Sequence, residues 1–321
     1  MKKVLLALLA VIVIVVAGAF VFVSIKWKKP FEAPYPELKA STDPALIARG
    51  AHLAYGPAHC IDCHATPGTG QSFKRGAIVP LTGGLEFVID PGTFRTPNLT
   101  PDKETGIGDL TDAQITRAMR YSVKHDGSYM VPFMPFQNLS DEDVVAILSF
   151  LRSQEPVKHK VQPSEFTFLG KALLAFGALK PEGPVGTPTK SVVPDTTAEY
   201  GSYLAHSVAN CFGCHTNRDL KAGKFTGEPF AGGFKFDDAM TRGYVFKTPN
   251  LTPDKETGIM TAWDKTTFIN RMHNGRVYET SPMPWEAFAR MDDTELKALY
   301  AYLHSLTPVR NDVGKIVLPP E

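Results

Sequence analysis

Two short stretches, Cys60-Ile61-Asp62-Cys63-His64 and Cys211-Phe212-Gly213-Cys214-His215, share the pattern Cys-x-x-Cys-His. In this pattern the two thiols lie about one helical turn apart, so that both can form thioether bonds to one haem. The histidine that follows is placed to bind the iron. All four cysteines of the chain lie in these motifs. The pattern therefore predicts two covalently bound haem c groups, with His64 and His215 as axial ligands and with attachment at Cys60, Cys63, Cys211 and Cys214.

The region around the motifs occurs twice. Residues 96–107, Thr-Pro-Asn-Leu-Thr-Pro-Asp-Lys-Glu-Thr-Gly-Ile, recur identically at 248–259, an offset of 152 that matches the offset of 151 between the motifs at 60 and 211. Such a repeat, in register with a shared motif, indicates two copies of one domain. It also argues against a zinc site, which needs further Cys or His at fixed spacing, and against a thiol redox pair, which is not normally followed by His in both copies.

Each copy begins and ends with matching sequence signals for helices. Ser140 and Asp143 resemble a capping box before a stripe of apolar residues, and Asp292 and Glu295 do the same in the second copy. The stripes keep the spacing i, i+3, i+4, i+7 of an amphipathic helix: Val144, Ile147, Leu148, Leu151 and Leu296, Leu299, Tyr300, Leu303. Asp43-Pro44 and Asp195 predict the starts of the helices that lead into the motifs. These patterns predict a mainly α protein.

A sixth iron ligand is expected from methionine, because its thioether is the usual partner of histidine in electron carriers. In the second copy, Met283 stands in a Met-Pro-Trp sequence nine residues before Asp292. In the first copy, Met134 keeps the Met-Pro-aromatic pattern but lies six residues before Ser140, whereas Met130 lies ten before it. We predict Met283 and Met134 as ligands, with Met130 as the alternative to Met134.

Other histidines and methionines have different predicted roles. His125 and His273 stand at matched places before Asp-Gly and Asn-Gly, and we expect each to end a helix, with iron ligation as the alternative. The remaining methionines are expected to pack in the core: Met119, Met240, Met260, Met272 and Met291.

The N-terminal segment predicts a membrane anchor. No charge occurs between Val4 and Ile25, a length of about 33 Å as a helix, which matches a bilayer core of about 30 Å. The alternative is a cleaved signal peptide, since residues 17–19, Ala-Gly-Ala, resemble a cleavage site. Because haem c is attached outside the cytoplasmic membrane in bacteria, we expect a single-pass anchor in that inner membrane with the body facing the periplasm, spaced from it by the proline-rich residues 30–36.

The expected organisation is an anchor at 1–29, a first haem domain at 30–157, a linker at 158–190 and a second haem domain at 191–321. The linker contains an apolar stretch, 166–176, which is too short to span a membrane. We expect it to pack across the two domains, with a membrane-surface or partner contact as the alternative. A formal net charge of +1 argues against a global basic field, and hence against nucleic acid as a partner.

The two motifs, the Met-Pro loops and the repeated Thr-Pro-Asn-Leu-Thr-Pro-Asp-x-x-Thr-Gly-Ile segment make the chain resemble membrane-anchored multi-haem cytochromes c of bacteria, such as the cytochrome subunits of periplasmic alcohol, gluconate and aldehyde dehydrogenases. The resemblance covers residues 40–310 and implies tandem class I cytochrome c domains. It also implies that the repeated segment lines the haem propionate edge, with Asn98, Asn250, Arg95 and Lys247 in the propionate pocket. Many such subunits carry three haems, whereas this chain has two motifs.

The resemblance implies an electron carrier rather than an enzyme. Its redox partners would be a dehydrogenase, a quinol oxidoreductase, an oxidase or a soluble cytochrome. Two alternatives are a dihaem peroxidase, which needs an iron with an open coordination position, and an obligate haem subunit of a respiratory complex. Methionine candidates in both copies argue against the peroxidase.

Overall fold

The computed structural model describes residues 1–66, 68–69, 77–220, 223–237 and 241–320. Helices predominate, in the order α1 (Lys2–Lys26), α2 (Pro44–Tyr55), α3 (Cys60–His64), α4 (Asp112–Tyr121), α5 (Asp141–Ser153), α6 (Phe168–Ala175), α7 (Ala198–Tyr203), α8 (Cys211–His215), α9 (Lys265–His273), α10 (Trp285–Phe288) and α11 (Asp293–Ser305). A π turn, Leu204–Val208, continues α7, and a 3-10 turn, Ile259–Ala262, precedes α9.

Short antiparallel strands complete the fold. The first sheet joins β1 (Glu86–Ile89), β2 (Gly92–Arg95) and β3 (Glu165–Phe166), with Phe87 opposite Phe94 and Gly92 opposite Phe166. A two-stranded ribbon joins β4 (Arg218–Asp219) and β5 (Lys224–Phe225). The third sheet joins β6 (Lys235–Phe236), β7 (Val245–Lys247) and β8 (Val317–Leu318).

Helix α1 projects from the folded body and contacts it near its C-terminal end, through α6. Among the described residues it is the one helix that is long and apolar enough to cross a membrane. Its side chains are exposed along nearly the whole length, and Val23 near its C-terminal end is the buried exception. An all-round apolar helix of this length is stable in contact with lipid rather than water.

In the first domain, α2 packs directly on α5. Asp43 caps α2 by accepting a hydrogen bond from the Ala45 amide, and Pro44 occupies the first turn, as predicted. The two helices approach closely at Gly50, where a Cβ atom would lie 1.9 Å from the carbonyl oxygen of Ala146. The predicted apolar stripe of α5, residues 144, 147, 148 and 151, is buried against this contact.

The second domain repeats this packing with α7 and α11. A Cβ atom at Gly201, the counterpart of Gly50, would lie 2.0 Å from the carbonyl oxygen of Ala298. The predicted capping box of α11 is confirmed, since Asp292 and Glu295 exchange both hydrogen bonds. The predicted cap Asp195 is wrong: α7 is capped two residues later by Thr197, and Asp195 instead accepts hydrogen bonds from the Thr197 amide and hydroxyl.

Matched polar side chains join the two domains. Arg49 of α2 donates to Asp143 of α5 and to Glu295 of α11, both at 3.1 Å. His52 Nε2 lies 2.9 Å from Glu295, and Tyr203, its counterpart in the second domain, donates to Asp143 at 2.7 Å. The carboxylate of Asp143 therefore faces the domain interface. It does not accept from the Ser140 amide, as a capping box would require, because that amide donates to the Tyr203 hydroxyl.

The segments on either side of the first domain are packed against it. Residues 30–36 do not act as a free spacer: the Phe31 amide donates to the Gly127 carbonyl, and Arg117 donates to the Phe31 carbonyl and the Tyr35 hydroxyl. The prediction that the apolar stretch 166–176 packs across the two domains is wrong. The stretch forms β3 and α6, which lie against β2 and against α1. The pairing of β3 with β2 and the contacts of Phe168 and Phe176 with the α1 rings hold the stretch in this position.

Candidate haem sites

Each Cys-x-x-Cys-His motif forms one short helix, α3 or α8. The residues before these helices, His59 and Asn210, adopt left-handed backbone conformations with φ values of 40° and 53°, which turn the chain sharply into the motif. The four cysteines are half-buried and unpaired. Burial raises the pKa of Cys60, Cys63 and Cys211 to about 12, so these thiols are protonated at neutral pH.

The two motif histidines are held in one orientation by the repeated segment. His64 Nδ1 lies 3.0 Å from the carbonyl oxygen of Pro97, and His215 Nδ1 lies 3.1 Å from that of Pro249. Because a carbonyl can only accept, Nδ1 carries the proton and Nε2 keeps its lone pair for a metal. Burial also lowers the pKa of His64 and of His215 to about 4, so both rings are neutral at neutral pH.

Two glycines complete this support, and no motif in the sequence marks them. Gly83 and Gly232 donate their amides to the carbonyls of His64 and His215, each at 2.8 Å. Both have positive φ, 68° and 74°, and a Cβ atom would lie within 2.5 Å of the Thr-Pro backbone of the repeated segment. Their signal in the sequence is weak, because each is one of a Gly-Gly pair in a chain with 26 glycines.

Replacing Gly83 with alanine is expected to destabilise the first site. A positive φ alone costs about 1–2 kcal/mol for a residue with a Cβ atom, and the clash with Pro97 adds roughly 1–3 kcal/mol. Gly314→Ala is the matched control, because Gly314 has a φ of 65° and a Cβ atom there would meet nothing within 4 Å. Denaturant unfolding of the full-length protein measures both variants. Equal losses of unfolding free energy in the two would contradict the close approach to Pro97.

The repeated segment is fastened to the end of its own domain. Asn98 Nδ2 donates to the Val157 carbonyl at 2.8 Å, while its Oδ1 accepts from the Thr100 amide and hydroxyl. Asn250 does the same with Val309 and Thr252. The structure thus gives both asparagines a role in closing the loop that carries Pro97 or Pro249. Their contact with haem propionates stays a prediction.

Arg95 and Lys247 lie beside these loops and have protein partners. Arg95 forms an ion pair with Glu86 at 2.6 Å and donates to the Pro163 carbonyl at 2.6 Å. Lys247 Nζ donates to the Val313 carbonyl at 3.3 Å. A role for either cation beside a propionate also stays a prediction.

The predicted methionine ligands occupy similar surroundings. Met134 and Met283 are partly buried and pack against the hydrophobic core. Met130 is also half-buried, and its amide donates to the Ser122 carbonyl. The shared core packing of Met134 and Met283 favours Met134 for the first site, and its ligation of the iron stays a prediction.

The loop that carries Met283 is braced by an arginine that no sequence motif marks. Arg276 forms a two-pronged ion pair with Glu286, with N–O distances of 2.7 and 2.6 Å. The same guanidinium donates to the carbonyls of Met283 and Ser281. Because a bidentate arginine pair fixes direction as well as distance, this contact holds the Met283 backbone in place.

The remaining residues of these types have structural surroundings. His273 ends α9, as expected, with its ring between the Ala289 carbonyl and Asp293. His125 does not end a helix, because α4 ends at Tyr121 and residues 124–128 form a turn closed by Gly127. Met240 lies outside the described residues, and the other predicted packing methionines are buried in the core: Met119, Met260, Met272 and Met291.

The donor set fits a c-type haem in both halves. Each motif offers two thiols about one turn apart and an imidazole whose Nδ1 is held by a backbone carbonyl. The sequence profile of the family described as "Cytochrome c" matches residues 47–155 and again residues 198–307. The chain belongs to the cytochrome c family. Such domains imply covalently bound haem c, and the two matches show that this cytochrome contains two such domains.

Relatives of known role support electron transfer. This cytochrome is 30% identical to the cytochrome c subunit of alcohol dehydrogenase (quinone) from Gluconobacter oxydans, over 83% of its own length and 56% of that protein. It is 26% identical to the fructose dehydrogenase cytochrome subunit from Gluconobacter japonicus, over 88% and 57%. It is 29% identical to a protein named diheme cytochrome c-type from Cereibacter sphaeroides, over 67% and 72%.

These names describe cytochromes and cytochrome subunits, not catalytic subunits. The chain is therefore an electron-transfer cytochrome c. It spans between 23% and 59% of the length of the first dehydrogenase relatives that it matches.

Proposed function

We propose that the protein carries electrons through two haem c groups on the periplasmic side of the bacterial cytoplasmic membrane. It would take them from a dehydrogenase or a quinol-oxidising donor and pass them to an acceptor such as an oxidase or a soluble cytochrome. The partner class rests on the dehydrogenase relatives. The relative named diheme supports the count of two.

Different side chains would hold each haem. Cys60 and Cys63 would bind the first haem and Cys211 and Cys214 the second. His64 and Met134 would supply the iron ligands of the first, and His215 and Met283 those of the second. When bound, each haem supplies a one-electron iron couple whose potential depends on the axial ligands and on burial. The division into an anchor at 1–29, domains at 30–157 and 191–321 and a linker at 158–190 is part of this proposal.

One contact between the domains supports electron transfer between the two proposed haem sites. The His59 ring, at the start of α3, packs edge-on against Phe288 of α10 with ring centroids 5.5 Å apart. Phe288 lies five residues after Met283. The attachment helix of the first site therefore lies against the segment that follows the ligand loop of the second. Arg49, bonded to acids of both domains, supports a fixed relation between the sites.

The anchor supports a location at the membrane surface. Lys2 and Lys3 lie at one end of helix α1, and Lys26, Lys28 and Lys29 lie at or just beyond the other, so charge does not decide its direction. The attachment of haem c outside the cytoplasmic membrane supports the orientation in which the domains face the periplasm.

Peroxide turnover tests the proposal against a dihaem peroxidase. With His and Met on each iron, we expect the full-length protein in lipid discs to be reduced and reoxidised by one-electron reagents. We expect no peroxide consumption above that of the same protein with its haems fully oxidised. Met134→Leu, which removes the proposed ligand, serves as a control with an open position. Sustained peroxide turnover by the unaltered protein after partial reduction would overturn the carrier assignment.

A further inference from the structure

The apolar helix α6 lies beside the membrane anchor. The rings of Phe168 and Phe20 stack with centroids 5.5 Å apart, and the rings of Phe176 and Phe22 lie 5.3 Å apart. The two ends of α6 therefore contact residues only two positions apart on α1. Because two residues of a helix span about 3 Å along its axis, α6 lies across α1 rather than alongside it. With α1 upright in a membrane, α6 is close to parallel with the membrane plane.

The faces of α6 differ in their surroundings. Gly170 and Leu174, one turn apart, are buried, and a Cβ atom at Gly170 would lie 2.0 Å from the Pro91 carbonyl oxygen. The opposite side exposes Phe168, Leu169 and Phe176 by 54%, 55% and 67%. Three large apolar side chains in one short segment form a patch that water solvates poorly.

The depth of this patch matches the boundary of a bilayer. Phe20 and Phe22 lie four to six residues before Lys26, or about 6–9 Å along the helix axis. Amphipathic interfacial helices bury their apolar faces by about 5–10 Å. The side chains that contact the patch on α1 are themselves exposed along the proposed membrane span.

Polar and aromatic side chains typical of a membrane boundary lie near α6, around Trp27. Lys171 Nζ stands 5.0 Å from the Trp27 ring centroid, and Lys28 Nζ stands 5.5 Å from it. Tryptophan with flanking lysines is typical of the level of the lipid headgroups. The Thr167 hydroxyl caps α6 through the Gly170 amide, and the Thr167 amide donates to Pro91, so the helix is fixed to the β1–β2 turn.

We propose that α6 is a membrane-interface helix whose exposed side, Phe168, Leu169 and Phe176, is covered by lipid of the outer leaflet. The inference rests on the proposed crossing of the membrane by α1. Together with the packing of residues 30–36 on the first domain, this second attachment holds that domain at a set height and tilt over the bilayer.

Spin-label accessibility tests this placement in the full-length, haem-loaded protein in phosphatidylcholine–phosphatidylglycerol discs. The native cysteines would be consumed by haem attachment, so a nitroxide reagent labels only an introduced cysteine. The test sites are Leu169→Cys and Phe176→Cys. Val13→Cys in α1 is the lipid control, and Val277→Cys in the second domain, 71% exposed, is the water control. Collisions with oxygen report lipid and collisions with a soluble nickel chelate report water.

We expect the oxygen-to-nickel accessibility ratio at both α6 sites to exceed that at Val277→Cys several-fold, and to fall below that at Val13→Cys. Ratios at 169 and 176 equal to that at 277, with position 13 still in lipid, would overturn the α6 proposal alone and indicate a surface for a protein partner. A water-accessible label at position 13 would overturn the anchor as well.

Discussion

Replacing Met134 with leucine is expected to convert one of the two irons from six-coordinate low-spin to five-coordinate high-spin. Leucine has nearly the volume of methionine but no sulfur donor, so such a swap usually costs less than about 1.5 kcal/mol of stability while it removes the ligand. Met134 packs against the core as Met283 does, which is the reason to expect the effect at this position. Optical and electron paramagnetic resonance spectra of the purified variant measure it.

The same spectra of two further variants complete this test. Met283→Leu is expected to produce an equal change at the second haem. Met130→Leu is expected to leave both irons low-spin. The midpoint potential of the affected haem should also move, because axial ligands set potentials over a range of about 0.8 V. A high-spin iron in Met130→Leu, with Met134→Leu unchanged, would reverse the assignment.

Replacing Arg49 with leucine is expected to lower the free energy of unfolding by about 3–5 kcal/mol, the usual cost of removing one partner of a buried ion pair. Arg49 is the cation between Asp143 and Glu295, whose side chains are 8% and 1% exposed. Without it, two carboxylates remain at the domain interface, with His52 and Tyr203 as their other partners. The neighbouring acids also raise the pKa of Arg49 above its ordinary value, against the opposing effect of burial, so the guanidinium is charged throughout the working range.

Denaturant titration of the haem-loaded protein measures this loss, and Arg310→Leu provides the matched control. Arg310 pairs with Glu256 at 2.7 Å, but both side chains are largely exposed, and exposed pairs contribute about 0–1 kcal/mol. Similar losses in the two variants would show that the Arg49 contacts do not hold the domains together. We expect Arg49→Lys to fall between them, since lysine keeps the charge but loses the forked geometry.

The repeated part of this fold can be predicted from the sequence. Its predicted features depend on residues close together in the chain: the two motifs, the apolar stripes of α5 and α11 and the capping box at Asp292. Such features can be predicted from the sequence because they do not depend on distant contacts. The predicted cap at Asp195 is wrong because Thr197 offers an equally good hydroxyl two residues later and Asp195 bonds to it. Side chains that cap in one context can serve a turn in another.

Long-range contacts are beyond the reach of local patterns. Nothing local indicates that Pro97 orients His64 from 33 residues away, or that Gly83 must lack a Cβ atom to let the two approach. The repeated segment stands out in the sequence, but the hydrogen bond from Asn98 to Val157 is visible only with both segments in place. Likewise, the position of residues 166–176 beside α1 depends on the rings of Phe20 and Phe22, which are far from α6 in sequence.

A spectroelectrochemical titration of the full-length protein in lipid discs counts the haems and the electrons that each chain carries. We predict two one-electron transitions per chain, two covalently attached haems and low-spin iron in both at every potential. A total of one electron per chain, one haem per chain, or a high-spin iron in the unaltered protein would contradict this assignment.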